Sequence, residues 1–270
     1  MGYLIEIIRQ HMGILFFIYG AAFFLFGSLI IIQSDANSKF TIGRYFWLLG
    51  IFGVLHGFNE WIDMLLVLHK TSDWVPAAIG IVFFVRNIFT YASFIFLLQF
   101  GVWSLVLVYD CHKLCRWVAY ALLSLSILFV GILMMLPLFG FYHVLARHQE
   151  YFKVGEILAR YFIGFPGALL TGISLLVWQR KPEIRDIQST MINVGFMVVG
   201  ITFIVYAILA GLIVPAGDFY PASVINYDVF ARYVGFPVQF FRTLCAIIVF
   251  IFMFCVLHIF NVEKYKYFEE

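Results

Sequence analysis

Seven predominantly apolar stretches, at roughly 12–33, 45–68, 78–108, 117–137, 157–178, 190–214 and 232–259, dominate the chain. An α-helix rises 1.5 Å per residue, so each is long enough to cross a hydrocarbon layer about 30 Å thick. Only 12% of the 270 residues are charged, about half the share a soluble domain carries, and the mean hydropathy is +0.99. Too few groups remain to solvate a globular surface, and lipid must act as the solvent. The predicted fold class is all-α: a polytopic bundle of about seven transmembrane helices, with residues 1–270 forming a single transmembrane domain. The third stretch is long for one span, which predicts either a bend at Gly101 or a helix that projects beyond the bilayer. A net charge of +2 gives no electrostatic footprint for nucleic acid.

The opening MGYLIEIIRQH carries Glu6 and Arg9 and leads into an apolar run too long for a cleaved signal peptide. It reads as a short amphipathic lead-in, and it lacks the Ser/Thr of a myristoylation signal. Of the four cysteines, Cys245 and Cys255 fall inside an apolar run, where the thiol is a small packed hydrophobe. Cys111-His112 with Cys115 looks like half of a metal site without its second pair of ligands, so no metal is expected.

Lysine and arginine flank the spans unevenly. One side collects Lys39, Arg44, Lys113, Arg116, Arg180, Lys181, Arg185, Lys264 and Lys266, and the other Arg9, Lys70, Arg147 and Lys153. The positive-inside rule then predicts an amino terminus outside and a carboxy terminus in the cytoplasm. Residues 138–156 and 215–230 become the long outer loops, the second of them (PAGDFYPASVINYDVF) suited to an interfacial segment. Ala159-Arg160-Tyr161 ahead of Gly164-Phe165-Pro166 is echoed by Ala231-Arg232-Tyr233 ahead of Gly235-Phe236-Pro237. With Arg86 opening the third span, the echo predicts one helix followed by three related hairpins, each ARY/GFP segment opening a helix.

Within the second stretch, His56, Asn59, Glu60 and Asp63 stand at i, i+3, i+4 and i+7 and share one helical face. Ionisable groups inside a span are costly and normally face the bundle interior or a cavity. Arg86, Arg160 and Arg232 lie near the outer ends of the third, fifth and seventh spans. Arg242 lies ten residues beyond Arg232, about 15 Å deeper, with Glu60 or Asp63 as the expected counter-ion. Together these residues outline an outer-side pocket to which Tyr91, Tyr161, Tyr233 and Gln239 add hydrogen-bonding groups. Four arginines against two carboxylates favour an anionic or carbonyl-bearing ligand. The plainer alternatives are a buried network that holds the helices in register and arginines that snorkel to headgroups.

No helix carries the paired histidines of a dihaem cytochrome, although His11, His56, His69 and His258 keep a single haem b in view, and a quinone is the other cofactor to weigh. P-loop, HExxH, GxSxG and dinucleotide-binding glycine signatures are all absent, so no catalytic residue is assigned.

Two segments, FWLLGIFGVLHGFNEWIDM at 46–64 and FYPASVINYDVFARYVGFPVQFFRTLCA at 219–246, resemble the membrane-embedded amino-terminal regions of bacterial sensor histidine kinases and related signalling proteins. They cover about a sixth of the 270 residues. In that family a PAS, kinase or cyclase module follows the last helix, whereas here the sequence ends in HIFNVEKYKYFEE. The resemblance therefore implies an excised sensor module, or a free-standing relative that works as a homodimer or with a membrane or cytoplasmic signalling partner. The leading expectation is a sensory module that detects a small anionic, lipidic or quinone-like ligand and passes the change along the seventh helix. A membrane-anchor or quinone-interacting subunit of a respiratory complex is the alternative, and a transporter the third reading.

Overall fold

The computed structural model describes residues 11–34, 38, 40–69, 76–109, 113–140 and 148–269. Arg9 and the rest of the amino-terminal lead-in, Lys39, Lys70, Cys111, His112 and Arg147 lie outside the described residues. Among the described residues there is no β-strand, and seven helices are long and apolar enough to cross a membrane. This is an all-α polytopic bundle of an integral membrane protein.

The first four spans are α1 (Met12–Gln33), α2 (Phe46–Leu68, entered through a 3₁₀ turn at Thr41–Tyr45), α3 (Pro76–Val108) and α4 (Lys113–Gly140). The fifth span joins α5 (His148–Ala159) to α6 (Phe165–Trp178) through a π turn at Arg160–Gly164. A short α7 (Pro182–Arg185) precedes the sixth span, which is α8 (Thr190–Tyr206) closed by a second π turn at Ala207–Leu212. After α9 (Tyr227–Val234), the seventh span is α10 (Val238–Glu269). The end of the bundle from which α1 descends is called upper below.

Six spans close a ring: α1 packs on α2, α2 on α3, α3 on α6, α6 on α8, α8 on α10, and α10 back on α1. α4 stands outside this ring, against α3 and α5, and only 17% of its apolar window is buried. Large apolar side chains such as Phe17, Ile32, Leu128, Phe162 and Ile251 are exposed on the outer surface, as a lipid-facing wall requires. The core behind them is aromatic, with Phe23, Phe26, Phe46, Phe52, Phe100, Phe196 and Phe203 almost fully enclosed.

Lipid gives helices no hydrophobic reason to associate, so close backbone approach at small residues does much of the work. The α1–α2 seam shows it: a Cβ added at Gly53 would come within 2.8 Å of the Gly27 backbone, and one at Gly57 within 2.7 Å of the Gly20 carbonyl oxygen. Gly101 plays the same part. α3 runs through it as one unbroken helix, and a Cβ there would meet the Thr171 amide at 2.8 Å. The long third stretch is therefore one continuous helix of about 50 Å.

Two sequence expectations are revised. The fifth span begins at His148, so residues 148–156 of the expected outer loop are helical and continuous with the span. The two ARY/GFP segments also take different conformations. The first is the π turn inside a continuous span, which accommodates Pro166 at the start of α6. The second is the end of α9, where Gly235 adopts φ 86° and stops the helix before α10 starts. Matching letters thus leave Arg160 buried and Arg232 exposed.

The α1–α2 seam yields a direct expectation. Gly53→Leu will lower the unfolding midpoint in detergent by the equivalent of about 2 kcal/mol or more, as overpacking does. Gly131→Leu on α4, where an added Cβ meets nothing within 4 Å, will leave the midpoint unchanged.

Candidate functional site

α2 presents His56, Asn59 and Glu60 fully inside the bundle and Asp63 one turn nearer the upper end. α3 answers with its own polar stripe, Arg86, Asn87, Thr90 and Ser93, all buried. The stripes interlock. Thr90 Oγ1 donates to Asn59 Oδ1 at 2.6 Å, and Asn59 Nδ2 donates to Glu60 Oε1 at 3.2 Å. The Arg86 guanidinium forks onto both oxygens of Asp63.

His56 joins four spans. Its Nδ1 lies 3.2 Å from Ser93 Oγ on α3, and its Nε2 lies 2.7 Å from the Tyr206 hydroxyl on α8 and 3.4 Å from Glu60 Oε1. The Tyr206 hydroxyl lies 2.8 Å from that of Tyr19 on α1. Phe23 packs edge-on to the imidazole at 4.9 Å, with Phe52 and Phe94 beside it. Both ring nitrogens are engaged, which leaves neither free to ligate a haem iron without breaking a bond. Among the described residues, no group of three or more His, Cys, Asp or Glu is placed to hold a metal ion.

The upper part of the site is a row of charges. Glu156 on α5 accepts from Arg86 Nη1 at 2.7 Å through one oxygen and from Arg160 at 2.9 Å through the other. Arg160 Nη1 also donates to the carbonyl oxygen of Ala210 at 2.9 Å. Arg242 on α10 binds main chain too: its Nε and Nη2 donate to Leu209 O at 2.9 and 2.7 Å, and Nη2 to Ile213 O at 2.6 Å. Its Nη1 donates to the Tyr227 hydroxyl at 3.1 Å, and the guanidinium lies 4.9 Å from that ring centre.

These carbonyls belong to the end of the sixth span. The last C=O groups of a helix have no partner of their own, a π turn spaces its bonds more widely, and the helix dipole places negative partial charge there. Two guanidinium groups therefore close that terminus. The expected ion pair between Arg242 and Glu60 or Asp63 is not made; among the described residues, no carboxylate lies within 4.0 Å of Arg242.

A cavity of about 380 Å³ opens between these groups. Arg86, Arg160 and Arg242 line it from three spans, and Glu60, Asp63 and Glu156 supply carboxylates, so the expected excess of four arginines over two carboxylates becomes three against three, with Lys153 the remaining cation. Gln239, Tyr227 and the exposed Lys153 complete its polar rim, and Phe16, Leu66, Val67 and Phe83 its apolar wall. Among the residues expected at the pocket, Asn59 and His56 lie just beneath it through their bonds to Glu60. Tyr91 is buried but faces Leu133 and Ala159, its hydroxyl accepting from Asn87 at 3.0 Å. Tyr161 is half-buried against Ile157, Val214 and Ala222. Arg232 and Tyr233 are not brought to the cavity: both sit exposed on α9, Tyr233 at 84%.

The sequence reading passed over Glu156, Thr90, Ser93, Tyr19, Tyr206 and Tyr227. Glu156-Arg160 is an i, i+4 pair, and Arg86-Thr90-Ser93 repeats the helical spacing of the α2 stripe; those were the legible signals.

Removing a carboxylate shared by two buried guanidinium groups strands both charges. Glu156→Gln will therefore destabilise the chain by about 3 kcal/mol or more, read from denaturant or thermal unfolding in detergent. Asp63→Asn will cost distinctly less, because Asp63 is partly exposed and Arg86 keeps Glu156.

Compared with protein-family models, with curated proteins and with solved structures, the chain finds no match in any of the three.

Proposed function

We propose that the chain is a sensory membrane module that binds a small molecule with an anionic or carbonyl group in the upper cavity and transmits its occupancy through α10. Arg242 carries this reading. It reaches the cavity from the seventh span, holds the end of the sixth, and has no carboxylate partner among the described residues. A ligand carboxylate or carbonyl approaching Arg242 competes with Leu209 O and Ile213 O for the same donors. α10 is helical without a break from Val238 to Glu269, about 48 Å, so a change in that grip reaches the lower end through a rigid element. The ligand must bind the two arrangements with different affinity to do so.

Within this reading the upper end faces outward and the lower end the cytoplasm of an inner membrane. The support is the gathering of Arg44, Lys113, Arg116, Arg180, Lys181 and Arg185 at the lower end. The resemblance of residues 46–64 and 219–246 to sensor-kinase membrane regions agrees with it, since those segments carry Glu60, Asp63, Gln239 and Arg242. A signalling partner or second copy would then read the lower end of α10.

Native mass spectrometry on the chain purified gently from its own membranes tests the proposal. The expected spectrum shows a lone chain or homodimer with one small molecule bound, lost in Arg242→Gln and weakened in Arg242→Lys, with both variants still inserted. Retention of the molecule in Arg242→Gln would remove the cavity from the mechanism. Co-purification with cytochrome or iron–sulfur subunits would instead favour a respiratory subunit.

A further inference from the structure

A second cavity, of about 440 Å³, lies in the lower half of the bundle between α2, α3 and the peripheral α4. Gln99 to Arg86 spans thirteen residues of α3, roughly 20 Å along the helix, so this slot is separate from the charged site. Its walls are aromatic. Tyr45 stacks on Trp103 at 6.0 Å and 15°, and Trp47 meets Phe96 edge-on at 6.3 Å. α4 contributes Leu123 and Ile127.

One polar side chain lines the slot among these rings. Gln99 is only 4% exposed, and neither its Nε2 nor its Oε1 finds a hydrogen-bond partner among the described residues. A buried primary amide without partners is costly, and here both its donor and its acceptor are unsatisfied beside a space lined by flat apolar groups. Gln99 sits one helical turn deeper than Trp103, close to the level where tryptophan and tyrosine mark a membrane–water boundary. The complementary ligand has a flat ring body and a polar group that donates and accepts at one atom.

We propose that this slot binds a membrane-soluble quinol-type molecule, its hydroxyl donating to Gln99 Oε1 and accepting from Gln99 Nε2. The oxidised quinone carbonyl accepts from Nε2 alone and leaves Oε1 unsatisfied. The slot therefore prefers the reduced form of the couple without transferring electrons itself. The ligand enters from the bilayer beside α4, the span least held by its neighbours. This inference is independent of the upper cavity and of Arg242.

The test is a competition. Decylubiquinol and decylubiquinone are added together under anaerobic conditions to the purified chain in lipid nanodiscs, and the ligand ejected from the complex is weighed by mass spectrometry. The bound pool is expected to favour the quinol roughly five- to tenfold over its partitioned ratio, as one unsatisfied buried acceptor requires. Gln99→Leu replaces the orphan amide with an apolar group of similar size, a change the fold tolerates. It should erase the preference while the quinone still binds, and Arg242→Gln should leave the preference intact. Equal binding in the wild type, recovery of phospholipid alone, or a preference that survives in Gln99→Leu would each overturn the assignment. Loss of the preference in Arg242→Gln alone would place the ligand in the upper cavity and also overturn it.

Discussion

The carbonyl end of the sixth span sets the terms for everything above it. A helix that stops inside a bundle, away from free water, must find donors for its last C=O groups, because each unpaired group there is penalised heavily. This chain supplies them from two other spans: Arg160 reaches Ala210 O, and Arg242 reaches Leu209 O and Ile213 O. The choice fixes where the fifth and seventh spans stand relative to the sixth. It also brings two permanent positive charges into the interior, and those charges demand the carboxylates around them. Glu156 answers Arg160 one turn away and Arg86 across the bundle, and Asp63 answers Arg86 from α2. The polar interior follows from a backbone requirement.

That order of causes explains the division of labour among the charged residues. Arg86, Asp63, Glu156 and Arg160 form a chain in which every carboxylate has a guanidinium partner. Arg242 and Glu60 stand apart from it. Arg242 is satisfied by main chain and a phenol, and Glu60 by the Asn59 amide and the His56 ring. Both line the cavity, and both have partners that a ligand can compete with more easily than it can break a two-sided ion pair. Beneath Glu60 the polar groups run through His56 to Tyr206 and Tyr19 and then meet Phe23, Phe26, Phe52 and Phe203. These side chains lie beneath the upper cavity and end against a layer of aromatic rings.

The parts of this architecture that side-chain pattern controls were legible, and those that backbone controls were not. Hydropathy marked α1 at its observed limits and α3 to within two residues, because lipid exposure acts on composition directly. The spacing of His56, Asn59, Glu60 and Asp63 announced a common face. The start of the fifth span was hidden because HQEYFKVGE reads as a polar loop; its helix is amphipathic, with Phe152 and Glu156 turned inward. The partners of Arg242 were hidden because they are carbonyl oxygens, which any residue supplies. The π turns were hidden for the same reason. The ARY/GFP echo misled because identical triplets precede Pro166 and Pro237 in different settings: one within a span that widens to pass the proline, the other where Gly235 ends a helix.

The two cavities differ in what they ask of a ligand, and the difference follows from depth. The upper one lies where α2, α3, α5 and α10 bring charge to a rim that Lys153 keeps exposed, and a charged or strongly polar molecule can exchange water for guanidinium there. The lower one has no charge, a single amide and walls of tryptophan and tyrosine, so only a molecule already dissolved in the bilayer loses nothing by entering it. α3 lines both, through Arg86 above and Gln99 below. That helix is continuous from Pro76 to Val108, so one element borders both cavities although they share no lining side chain.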